Sequence, residues 1–293
     1  MRRTFLAFSI LAITAAPALA APVSVATPVA PWEASTEGGV CRMQRSFEAD
    51  GQPHLLILEQ NSPGRAVGIA MAGPSLAALS PETPLRVSFA ADHAGFEKKA
   101  RIEPNRQFGH LAVLQGVWLE TGKPDDVADR SRIDLGAAQD VEQIAVSQDN
   151  GGLTFATGSL ADAALVLNEC TAQILRGWGL DPASQYSLQR SAFPAEPSKL
   201  AKEMRKSYPT GAARGLRSGP LEVAALIDAN GAATGCRIIV ASPWADIDEA
   251  TCKAMLKARY TPALNASGNA VASYWKTRVT FFANEFEAQQ QRP

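Results

Sequence analysis

Histidine is scarce in this 293-residue chain: there are three, His54, His93 and His110. They fall in turn-like or strand contexts with no spacing that would make a metal-ligand pair, and each reads as a surface or edge residue. Other catalytic signatures are missing too. The sequence has no GxSxG, no HExxH and no phosphate-binding glycine loop, and Ser198 and Lys202 miss a Ser-x-x-Lys spacing by one residue. No CxxC is present to suggest a zinc site. The expectation is a non-enzymatic protein with no catalytic residue, no metal and no cofactor. An excess of one charge is absent as well: 28 Lys and Arg stand against 29 Asp and Glu. Such a balance points away from nucleic acid or a strongly anionic partner.

Only the first twenty residues carry a long apolar run. Arg2 and Arg3 precede it, and Ala18-Leu19-Ala20 supplies the small-x-small pattern of a signal-peptidase site. The 16 residues from Phe5 to Ala20 span about 24 Å as a helix, short of the ~30 Å hydrocarbon core. The expectation is therefore a cleaved signal at residues 1–20 and a periplasmic chain beginning at Ala21. The alternative keeps the segment as an inner-membrane anchor facing the periplasm. Membrane contact is allowed by this reading but not required.

Four cysteines remain after residue 20, Cys41, Cys170, Cys236 and Cys252. An even number in an oxidising compartment implies two disulfides, for which three pairings exist. The organisation of the chain favours one of them. Residues 21–35, rich in Ala, Pro and Val, read as a flexible leader. Residues 36–182 read as a β-rich domain of short strands, such as Leu85-Arg86-Val87-Ser88-Phe89, closed by a helix whose stripe runs through Leu160, Ala163, Leu167, Cys170, Ile174 and Trp178. Residues 183–197 suit a linker, and 198–288 form a second domain. Pairing within domains gives Cys41–Cys170 and Cys236–Cys252.

The second domain opens with a basic helix, Lys199 to Lys206, in a cluster that also contains Arg214 and Arg217; its simplest reading is a solvated face. Leu221, Val223, Ala225 and Ile227 alternate along a strand. Asn230-Gly231 signals a type I′ hairpin, and Cys236, Ile238 and Val240 share one face of the returning strand. A helix starts at Asp246 with Glu249 in a capping-box spacing. Its apolar arc contains Ile247, Cys252, Met255 and Leu256. The last strand puts Val271, Trp275, Val279 and Phe281 on an inner face and Tyr274, Lys276, Arg278 and Thr280 on an outer one. The fold class is α+β, with order α-β-β-α-β in the second domain and one helix on a three-stranded antiparallel sheet.

With Tyr208-Pro209, Gly219, Asp228-Ala229-Asn230-Gly231, Tyr260-Thr261-Pro262-Ala263, Gly268 and the closing Phe281-Phe282, this segment resembles the C-terminal domain of TonB-family proteins. The resemblance implies a domain that binds a protein, an outer-membrane receptor or another envelope protein, by adding a strand to its last strand. Carried over, the partner-binding backbone is Ser273 to Thr280, with Tyr274, Lys276 and Arg278 reading side chains. Tyr208 and Pro209 fall at the receptor-contacting motif, although Lys206-Ser207 precede them where the family has Gln-Pro. The signal also has no anchor histidine. Three readings follow. The first is a periplasmic strand-binding protein, the second a short anchored energy transducer. The third is an envelope enzyme or small-ligand binder with its site near His93 or His110 in the first domain.

Overall fold

The structure, a computed structural model, describes residues 23–120, 131–214 and 217–281. The expected signal and Phe282 lie outside the described residues. Helix and strand are mixed, with strand in excess.

The first domain is one sheet of eleven strands. They are β1 (Val23–Pro28), β2 (Glu33–Glu37), β3 (Val40–Ala49), β4 (Gln52–Gln60), β5 (Ala66–Ala72), β6 (Leu85–Ser88), β7 (Phe96–Lys98), β8 (Arg101–Asn105), β9 (Gly109–Trp118), β10 (Ile144–Gln148) and β11 (Gly151–Phe155). The order is β7-β6-β10-β11-β1-β3-β4-β5-β9-β8, with β2 on β3. The expected flexible leader is thus a pair of strands. Residues 23–26 of β1 run parallel to β11, and Thr27 and Pro28 then pair antiparallel with β3. This segment joins the two halves of the sheet. Its own sequence is Ala-, Pro- and Val-rich, and its order comes from main-chain bonds to residues about 130 positions away in the chain.

The core between these strands centres on Phe47 and Phe155, whose rings meet edge to face at 5.0 Å. His54, expected at a surface or edge, is buried here (1% exposed). Its Nδ1 lies 3.0 Å from the Gln52 carbonyl oxygen and its Nε2 3.0 Å from Ser75 Oγ. With both ring nitrogens partnered, burial costs little.

Helices α1 (Leu135–Gln139) and α2 (Ala161–Gly177) close the domain. Asp134 caps α1 by accepting from the Gly136 and Ala137 N–H groups. Helix α2 buries Ala163, Ala164, Leu167, Thr171 and Leu175, a stripe at the spacing read from the sequence but turned slightly around the axis. Cys170 on its flank is bonded to Cys41 of β3, with Cα atoms 5.9 Å apart.

The expected linker is also ordered. Asp181 caps α3 (Pro182–Tyr186), and the next residues form β12 (Leu188–Arg190) and β13 (Phe193–Pro194). These pair with β17 (Ala263–Asn265) and β16 (Tyr260–Thr261), so the connection belongs to the second domain. The remaining elements are α4 (Pro197–Ser207), α5 (Thr210–Arg214), β14 (Gly219–Ile227), β15 (Ala233–Val240), α6 (Ala245–Lys257), β18 (Ala270–Val271) and β19 (Ser273–Phe281). The sheet order β15-β14-β19 is antiparallel throughout.

Leu221, Val223, Ala225 and Ile227 of β14 pack with Leu200 and Met204 of α4 and Ile247 and Met255 of α6. Each large side chain buried here contributes about 1.5–3 kcal/mol. Cys236 and Cys252 tie β15 to α6 with Cα atoms 5.7 Å apart. The β14–β15 turn differs from the expected type I′. Gly231 has φ 79° but Asn230 has no positive φ. The Gly231 N–H bonds the Asp228 carbonyl, and the Asp228 carboxylate accepts from the Asn230 and Ala232 N–H groups. Asp228 thus organises a turn in which only the glycine is left-handed.

Candidate functional site

Strand β19 lies at one edge of its sheet: it pairs with β14 through nine residue positions, Ser273 to Phe281, and no other strand lies beside it among the described residues. Pro220 stands opposite Thr280. Proline has no N–H and suits a rung without hydrogen bonds. With that phase, alternation directs the N–H and C=O groups of Tyr274, Lys276, Arg278 and Thr280 away from β14.

The two halves of this edge differ. In the first half the Tyr274 side chain is buried (8% exposed). Its ring meets Trp178 edge to face at 5.3 Å, and its hydroxyl lies 3.2 Å from the Pro63 carbonyl oxygen and 3.0 Å from Ser131 Oγ. Lys276 Nζ donates to the Pro63 carbonyl at 2.7 Å and reaches Ser62 Oγ at 3.3 Å. A side chain on Gly64 would run into that ammonium group. Ser273 Oγ bonds Gln185 Oε1 at 2.7 Å. In the second half Arg278 and Thr280 are exposed.

The expected outer face of the sheet is therefore a domain interface along Tyr274 and Lys276 and open only from Thr277 onward. Leu226 of β14 and Tyr274 pack with Leu175 and Leu180 at the end of α2, joined by Trp178 and Tyr186. Reading by alternation missed this cover, and it missed Ser62 and Pro63, which hold the strand from the first domain. One signal was available. Val223 to Ile227 are five consecutive apolar residues, and all five are buried, as in a strand covered on both faces.

Tyr208 is placed inside the domain. Its ring stacks on Phe281 at 5.1 Å with planes 10° apart, and its hydroxyl donates to the Arg217 carbonyl. Pro209 follows it at the end of α4 and is half-buried, away from β19's outer edge. Trp275 packs inward with Val279, as its phase suggested. In the basic cluster Lys199 pairs with Glu196, Lys206 with Glu203 and Arg217 with Asp246. The Lys206 ammonium beside Glu203 holds that carboxyl below its usual range. These are solvated pairs, worth little each. The Arg214 side chain lies outside the described ones.

His93 is exposed and His110 half-buried, and they line none of the clefts described here. Among the described residues no group of three His, Cys, Asp or Glu is placed to hold a metal ion, and no helix is long and apolar enough to cross a membrane.

An edge strand carrying outward main-chain groups, on a sheet backed by helices, has the geometry that strand addition uses. Residues 204–282 match the family model of the Gram-negative bacterial TonB protein C-terminal. Over that segment the chain carries a domain similar to the TonB C-terminal. No curated protein and no solved structure matches the chain.

Proposed function

We propose that this chain is a non-enzymatic periplasmic protein that binds a partner segment by strand addition along the open half of β19, Thr277 to Phe281. The observation that carries this reading is the asymmetry of the edge. The side chains of its first half, Ser273 and Lys276, are held by Gln185, Ser62 and Pro63, while Arg278 and Thr280 face solvent with no strand beside them among the described residues. An added strand there gains main-chain hydrogen bonds at little side-chain cost. Linkage to outer-membrane transport is the role such binding would serve.

The test is a crosslinking pull-down from envelope extracts with the full mature chain and its Arg278→Pro variant. Proline removes the outward donor and fixes φ near −65°, so the variant should lose partners that the parent captures. A variant that melts like the parent and still captures every partner rules strand addition out.

A further inference from the structure

Beyond the Lys276 contact with Pro63 the gap between the two domains is a cleft. Its two contiguous cavities, of about 390 and 750 Å³, share Val40, Glu59, Asn61, Gln115, Glu222 and Arg278 as walls. The cleft lies across the face of the sheet, bordered by Glu222 of β14, Val240 of β15 and Arg278 of β19, so a segment on the open edge meets it at Arg278. The opposite wall belongs to β3, β4, β5 and β9 of the first domain.

The charge of the two walls describes an occupant. Arg42, Lys99, Arg101, Lys276 and Arg278 line the cleft against only Glu59 and Glu222. Arg42 is paired with Glu59, and Arg101 with Glu103. Lys99 and Arg278 make no ion pair among those found between described residues, and both are exposed.

We propose that this cleft holds an extended, carboxylate-bearing segment of a partner protein, read by both domains at once. Strand β19 supplies the pairing backbone, and Lys99 and Arg278 take the carboxylates. The proposal rests on strand addition at β19 and adds to it the partner's chemistry and the first domain's share in recognition.

The test selects short random peptides displayed on phage against the full mature chain, then measures synthetic copies by fluorescence anisotropy. The selected peptides should be enriched in Asp and Glu. Gln115→Trp, at an exposed position on the cleft wall, should fill the cleft and weaken binding at least about tenfold. Lys99→Glu should weaken it about fivefold, an effect that salt reduces. Both variants should melt like the parent. Peptides without acidic enrichment, no selected peptide at all, or binding indifferent to Gln115→Trp and Lys99→Glu would each overturn the proposal. Thr280→Pro removes an outward donor of β19 at a residue that lines neither cavity. If it abolishes binding while the two cleft variants do not matter, strand addition survives and the cleft falls. If the cleft variants abolish binding while Thr280→Pro does not, strand addition fails and the cleft remains as a site of its own.

Discussion

The Tyr274 hydroxyl reaches the carbonyl oxygen of Pro63 across a sequence separation of 211 residues, and this contact makes one structure of the two domains. Tyr274→Phe removes the buried hydrogen bonds to Pro63 and Ser131 and should cost about 1–3 kcal/mol. Tyr274→Ala also removes the ring packed against Trp178 and should cost about 3–5 kcal/mol. Urea unfolding followed by tryptophan fluorescence should show one transition for the parent. For Tyr274→Ala it should separate into two. Two transitions in the parent would contradict a shared interface.

The disulfides should differ in worth. Cys41–Cys170 spans 129 residues and Cys236–Cys252 only 16. On loop entropy alone they contribute about 5 and about 3 kcal/mol. Paired Ala substitutions at each, compared by denaturant midpoint, should rank in that order. Peptide mapping should find both bonds within their domains.

Alkaline pH should weaken the second domain through Tyr260. Burial pushes its hydroxyl up to about 12, against an ordinary value near 10. The folded state therefore keeps a proton that the unfolded chain releases earlier. The associated stability is complete below pH about 10 and is lost as pH rises toward 12. Tyr260→Phe should flatten this loss. At neutral pH it should cost about 0.5–1.5 kcal/mol, since the hydroxyl donates to the Met255 carbonyl. Tyr186 is also raised by burial, so some alkaline slope should persist in the variant.

Two glycines with similar backbones should respond differently to alanine. Gly231 and Gly179 have φ of 79° and 77°, and each substitution carries about 1–2 kcal/mol of left-handed strain. At Gly179 an added methyl meets nothing within 4 Å, whereas at Gly231 it strikes the Tyr260 carbonyl. Gly231→Ala should therefore cost a further ~1–3 kcal/mol. Equal melting temperatures for the two variants would contradict that account.

Local patterns carried much of this fold. Alternation through Leu221, Val223, Ala225 and Ile227 marked the inner face of β14, and the cysteine pairing followed from where one domain gives way to the next. What escaped depends on distant chain. Residues 23–26 are held as a strand by residues 152–155 and residues 27–28 by 47–48, partners that the Ala-, Pro- and Val-rich composition of the segment does not reveal. At the candidate site the sequence placed Tyr274 and Lys276 on the face opposite the core. It could not show that this face is covered, since the cover comes from Pro63 and Trp178. The turn at Gly231 was located correctly and typed wrongly, because the Asp228 carboxylate supplies bonds that a reading of Asn230-Gly231 alone does not count.

The nine-position antiparallel ladder between β14 and β19 gives the molecule a mechanical character. A tug along the length of β19 shears the rungs of that ladder together, whereas a sideways pull opens them one at a time. A segment lying beside β19 would deliver its load in the first, stronger direction. Part of that load would pass through the Tyr274–Trp178 contact to the end of α2, a helix stapled at Cys170 to the first domain. A ladder of this kind would resist lengthwise tension and yield to peeling.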